Sequence, residues 1–136
     1  MSKITVETSV KADPEKVWDY WTKPEHIVNW NFALDDWHCP NAENDLRENG
    51  RFNYKMSSKD GKVSFNFEGE YTFVKMYECI HYMLGDGRKV EITFSSDGKN
   101  TKVTETFEPE QINPEEMQKT GWQNIIDNFK KYTESN

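Results

Sequence analysis

Long apolar runs, cysteine and excess positive charge are all scarce in this chain. No segment of its 136 residues approaches the ~18 consecutive apolar positions of a membrane-spanning helix. The first ten residues, MSKITVETSV, lack an apolar core and a cleavage pattern, so no signal peptide is expected. The two cysteines, Cys39 and Cys79, form no ligand-spaced pair. Reduced thiols and a cytoplasmic setting are the expectation. Basic residues number 17 against 24 acidic ones, a formal net charge of −7, and no basic cluster is denser than Lys130-Lys131. A nucleic-acid binder would show a basic face, so neither nucleic acid nor an anionic membrane is an expected partner.

Signatures of catalysis and metal binding are equally thin. The histidines are His26, His38 and His81, and only His38-Cys39 lies in a dense patch, with Asp35 and Asp36 upstream. Zinc takes three or four ligands, and no second pair answers this one. No metal and no cofactor are expected. There is no G-x-S-x-G, no G-x-G-x-x-G and no P-loop. "GDGR" at Gly85–Arg88 reads as a hairpin turn.

Aromatic surface is what the chain has in quantity. Phe, Trp and Tyr make up 14% of residues although the hydrophobic fraction is only 35%. Large rings therefore supply much of the core, either as an ordinary aromatic core or with space left between ring faces.

Periodicity gives the elements. "KITVETSVKA" alternates Ile4, Val6, Thr8 and Val10 on one face, the period of a strand. Asp13-Pro14 supplies an N-cap and first-turn proline to "DPEKVWDYWTK", which Pro24 stops, and "PEHIVNW" makes a second short helix. Residues Asn31 to Gly50 are rich in turn formers and read as irregular. Strands resume at "GRFNYKM" and at "VSFNFEGEYTF", where Val63, Phe65, Phe67, Gly69, Tyr71 and Phe73 alternate. The phase then slips, predicting a bulge or turn near Val74–Tyr77. "CIHYMLGDGRKVEITF" is a hairpin and "TKVTETFEPE" the last strand, before Pro114 opens a long helix. A strand, two helices, five or six antiparallel strands and a long helix make an α+β fold, one domain over residues 1–136.

Two positions on these elements are out of place. Met117, Gly121, Trp122, Ile125, Ile126, Phe129 and Tyr132 form the buried stripe of the terminal helix. Gly121 costs that helix about 1 kcal/mol relative to alanine. Either the backbone there approaches a bulky ring, or a space opens, walled by Phe52, Tyr54, Phe65, Phe67, Tyr71 and Trp122. Glu105 is the second, since alternation points it inward with Val103 and Phe107. A buried carboxylate needs a partner or titrates high. A bulge that turns it outward, an internal partner (Tyr54, Tyr71 or Arg88), an anchor for a ligand and a general base are the four readings.

The succession "DPEKVWDYWTKPEHIVNW", "DWHCPNAENDLRENGRFNYKM", "FEGEYTFV", "GDGRKVEITF", "TKVTETFEPE" and "GWQNIIDNFKKY" resembles the START-like, Bet v 1-like (SRPBCC) superfamily. More narrowly, it resembles the branch homologous to the activator of Hsp90 ATPase, often described as polyketide cyclase-like. The resemblance covers essentially the whole chain. It implies a helix-grip fold, in which a curved antiparallel β-sheet wraps around a long C-terminal helix with two short helices at one end. It also implies a hydrophobic cavity between helix and sheet, of the kind that holds lipids, sterols, polyketides or hormones.

The ligand-binding set then expected is Phe52, Tyr54, Phe65, Phe67 and Tyr71 from the first strands. Val90, Ile92, Val103 and Glu105 join from the later strands, and Met117, Gly121, Trp122 and Ile125 from the helix. The leading expectation is binding of a small hydrophobic or aromatic molecule, in a pocket of roughly 300 Å³ or more. An alternative is a cyclase- or dehydratase-like enzyme with Glu105 as base and His81, Arg88 and Tyr54 as further polar candidates. A third reading is an Hsp90-type co-chaperone interaction module, with a chaperone as partner and the exposed surface drawn from the tryptophans of "NWNFALDDWHCP". A monomer and a homodimer are both compatible with the sequence.

Overall fold

The computed structural model describes residues 3–136. The first two positions of the N-terminal stretch and of the single expected domain lie outside that range. In chain order the elements are β1 (Ile4–Val10), α1 (Pro14–Thr22), α2 (Pro24–Ile27), β2 (Trp37–Asn44), β3 (Arg51–Ser58) and β4 (Ser64–Lys75). Then come β5 (Cys79–Leu84), β6 (Lys89–Ser96), β7 (Thr101–Phe107) and α3 (Glu115–Ser135). The strands form one antiparallel sheet in the order β1-β7-β6-β5-β4-β3-β2. It curls around α3, with α1 and α2 at one end.

Local chemistry explains the boundaries. The Asp13 carboxylate accepts the Lys16 N–H at 2.8 Å, and Pro14 occupies the first turn, where no backbone donor is needed. Lys23, ahead of Pro24, is forced into the extended region (φ −84°, ψ 129°), and α1 ends there. Asp86, Asp97 and Asp60 each accept a backbone N–H two residues on, which fixes their turns.

Two expectations about the strands need correction. The stretch read as irregular, Asn31 to Gly50, contains edge strand β2. Its register slips between His38 and Asn41, so the buried residues Cys39 and Ala42 are three apart. A bulge of this kind erases the period of two by which a strand is recognised, and Pro40 is tolerated because the strand is at an edge. In β4 the slip comes earlier than expected, between Tyr71 and Phe73. Phe73 is consequently turned outward, against His81, while Val74 opposite Ile80 takes the inner face. The turn itself lies at residues 76–78, with Tyr77 at φ 68°.

One part of the core lies where α1, the residues after α2, and α3 meet. Trp21, Trp30 and Phe129 pack with ring centroids 4.8–4.9 Å apart, and Ile27, Ile126 and Phe129 are fully buried. Along β1, Gln123 and Lys130 of α3 donate to the carbonyls of Glu7 and Ser9 at 3.1 and 2.7 Å. With Phe129 and Lys130, the C-terminal half of α3 is clamped, and Gln123 ties its middle. Its N-terminal half is packed more loosely, and there the stripe shifts: Gln118 is buried, whereas Met117 is 61% exposed.

Candidate functional site

A cavity of about 370 Å³ lies between the sheet and the N-terminal half of α3. A Cβ built on Gly121 would meet nothing within 4 Å. Of the two readings of that glycine, close approach and open space, open space is what the helix has. Trp122 stacks flat on Phe107 at 3.9 Å and meets the edge of Phe67 at 6.0 Å, so its own packing fixes it as a wall.

Eleven of the thirteen residues expected at the site border this one space: Phe52, Tyr54, Phe65, Phe67 and Tyr71, then Ile92 and Glu105, then Met117, Gly121, Trp122 and Ile125. Phe65 and Met117 are more than half exposed and form its rim. Val90 and Val103 are the exceptions. Both are buried, but they sit opposite Phe107 and Phe94 in a part of the inner face outside the cavity. Tyr82, Trp21, Trp30, Asn44 and Gln118, outside the expected set, also line it. The alternation of Ile80, Tyr82 and Leu84 in β5 carried a signal for Tyr82; nothing local carried one for Asn44.

Phe52 can lie across the sheet because its neighbour in register is Gly69. A Cβ there would stand 2.6 Å from the Met83 carbonyl oxygen and 3.0 Å from the Phe52 ring. The same ring touches Tyr54, Tyr71 and Tyr82 at centroid distances of 4.8–5.3 Å.

Polar groups gather in three places. The Tyr71 hydroxyl donates to Asn44 Oδ1, and Asn44 Nδ2 donates to the Thr22 carbonyl at 2.6 Å. Burial lifts the Tyr71 phenol to about 12 and pushes the neighbouring Tyr54 phenol well up as well. Near the mouth, Gln118 accepts the Glu110 N–H at 2.9 Å and donates to the carbonyls of Glu110 and Asn113.

The third place is Glu105. It is 5% exposed and faces the cavity, and no hydrogen bond reaches its carboxyl among the described residues. The outward bulge and the internal hydrogen-bond partner are both ruled out by that placement. Burial alone raises its pKa to about 8. Burial, and secondarily the charge of Glu105, holds the Tyr82 phenol well above its usual range. Arg88 borders the same space, but its Nε is 2.8 Å from an Asp86 carboxylate oxygen. Glu105, Arg88 and Tyr54 thus border one space, whereas His81 lies on the opposite face against Phe73.

Two other expectations can be placed. Trp30 is buried, donates its indole N–H to the Tyr20 carbonyl at 3.0 Å and lines the cavity. Trp37 is half-buried against Phe65. The tryptophans of "NWNFALDDWHCP" therefore do not form an exposed patch, because α2 turns Trp30 into the core. Among the described residues no group of three or more His, Cys, Asp or Glu side chains is placed to hold a metal ion. None of their helices is long and apolar enough to cross a membrane.

A family model described as activator of Hsp90 ATPase homolog 1-like protein matches residues 11–134. The chain belongs to that family. Its fold is shared with an Activator of Hsp90 ATPase homolog 1-like protein of Aeromonas hydrophila, solved in solution, at TM-score 0.93 and 39% identity. That match covers 98% of this chain and 93% of the other. A Cytophaga hutchinsonii protein, also solved in solution, is 51% identical at TM-score 0.85, with the same two coverages. A Staphylococcus aureus protein of unknown function, 21% identical at TM-score 0.72, shares the fold alone over 98% of this chain and 95% of its own. No protein of curated function matches the chain. Membership of the Activator of Hsp90 ATPase homolog 1-like family accounts for the curled sheet, the gripped helix and the two short helices, and leaves the use of the cavity to be argued from its residues.

Proposed function

We propose that the protein binds a small hydrophobic or aromatic molecule in the cavity between α3 and the sheet. The observation that carries this reading is Gly121, a missing side chain on the inward face of a helix, opposite an aromatic-walled space of about 370 Å³. A core selected for stability alone would fill such a space, because each unfilled methyl-sized void costs roughly 1 kcal/mol. Ligand pockets have this makeup, apolar walls with a few placed polar groups.

The test is an amide NMR titration of the protein with a mixed library of apolar and aromatic compounds. Saturable shifts at the Trp122 indole, Gly121 and Glu105 are the expected result. A library that shifts none of them removes the reading.

A second reading is favoured by Glu105. A carboxyl that titrates near neutrality inside a cavity is suited to general-base work of the cyclase or dehydratase kind. It requires turnover of a bound ligand that Glu105→Gln abolishes; turnover unchanged in that variant would end it.

A further inference from the structure

Glu105 is an ionisable group with no cation of its own. The titratable and charged side chains that border the cavity with it are Tyr82 from β5, Tyr71 from β4, Tyr54 from β3, Arg88 from the β5–β6 turn and Glu110 from the loop after β7. Its cross-strand neighbours, Val6 of β1 and Ile92 of β6, are apolar. The helices and β2 bring no titratable group to the cavity. Arg88, the one cation that the described residues bring to the lining, is committed to Asp86. Glu110 adds a second carboxylate at the mouth, held by the backbone and side-chain N–H groups of Asn113 at 2.6 and 3.1 Å. Among the described residues the lining therefore holds two carboxyls and a single cation that is already paired.

Resting on the cavity as a ligand site, we infer that its ligand is an organic cation. An apolar or aromatic amine would place its ammonium against Glu105 and its body among the rings of Phe52, Phe67, Tyr82 and Trp122. A hydroxyl could be hydrogen-bonded equally well by glutamine, without the desolvation cost that a carboxyl brings. Unlike glutamine, a carboxyl can become charged, and for binding alone that charge helps when the ligand is a cation. Rings around an ammonium add cation–π attraction, strongest where water is excluded. An anionic ligand would gain nothing from ionisation of Glu105 and would meet the Glu110 carboxylate at the mouth.

Binding of the protonated amine releases the Glu105 proton to solvent. No bond to carbon changes. The affinity of an amine therefore climbs with pH until Glu105 is ionised in the free protein, near pH 8. An alkylamine, with a pKa close to that of lysine at about 10.4, stays protonated throughout that range.

The experiment compares three ligands with one ring system, tryptamine, tryptophol and indolepropionate, by shifts of the Trp122 indole N–H in isotope-labelled protein. Tryptamine is expected to bind at least about tenfold tighter than tryptophol at neutral pH, and indolepropionate weakest. Its affinity rises roughly tenfold per pH unit from about pH 5 to about pH 7 and levels off near pH 8, while that of tryptophol stays flat from about pH 5 to about pH 7. Glu105→Gln brings the tryptamine-to-tryptophol ratio towards one. Equal affinities, or a flat tryptamine profile in the unaltered protein, overturn the inference and leave the cavity reading standing on tryptophol. If none of the three moves the Trp122 indole, the cavity reading falls and takes the inference with it.

Discussion

At position 121 a side chain would point into empty space, and at position 69 into a carbonyl oxygen. The two glycines look alike in the sequence, since each sits on the inward phase of its element. Their substitutions should part company. Gly121→Ala removes the helix-interior glycine at no steric cost and is expected to raise stability by about 1 kcal/mol in a urea titration. Gly121→Phe fills the cavity and should abolish the ligand-induced shift of Trp122 while the protein stays folded. Gly69→Ala should lower stability by about 1–3 kcal/mol, as overpacking does. A Gly121→Phe protein that still bound ligand would mean that the ligand sits elsewhere.

Among the elements, α3 divides in two. Its second half is locked by Phe129 against Trp21 and Trp30 and by the Lys130 tie to the Ser9 carbonyl of β1. At its start Pro114 makes no side-chain cap, and Gln118 does the holding, with three hydrogen bonds to the loop before the helix. Phe129→Ala should cost about 3–5 kcal/mol of global stability, as truncation of a buried phenylalanine does. Gln118→Ala should leave a smaller global loss, about 1–3 kcal/mol. Its effect should concentrate in faster amide hydrogen exchange over residues 110–121, the rim of the cavity. Equal exchange along both halves of α3 in that variant would contradict a separately held mouth.

For the molecule as a whole, one buried carboxyl sets a pH dependence. Glu105 titrates at about 8 when folded, against 4.5 for the free side chain. Between those values the folded state binds more protons than the unfolded one, so stability falls as pH rises through the window and levels off above it. The expected loss attributable to this group is on the order of 1–3 kcal/mol once local relaxation is allowed for. Urea midpoints measured across the window should converge for the unaltered protein and Glu105→Gln at the acid end. At the alkaline end the variant should be the more stable. Parallel curves would show Glu105 ionised at all these pH values, hence solvated or paired. The chain's formal net charge of −7, which counts Glu105 as ionised, is otherwise carried largely on exposed side chains, where salt screens it.

What the sequence determined by itself is local and periodic. Asp13-Pro14, Pro24 and the Asp-Gly turns punctuate the chain through backbone chemistry that acts over three or four residues, and the order of elements follows. Alternation also tells which face of a strand points inward, so Phe52, Tyr71 and Glu105 were legible as inner residues. Only the tertiary structure decided how deep each lies. Val90, Val103 and Ile92 share one phase, yet Ile92 borders the cavity and the other two do not. The Trp21, Trp30 and Phe129 cluster clamps one end of α3, and a helix held at one end leaves space along its other half. Such a contact joins residues about a hundred positions apart, and no period within one element records it. Bulges hid β2 and turned Phe73 outward for a related reason, because one extra residue reverses every face assignment beyond it. The convergence of Glu105, Tyr82 and Arg88 on an opening left by Gly121 belongs to the same class of facts: each residue type was visible, and the curvature of the sheet brought them together.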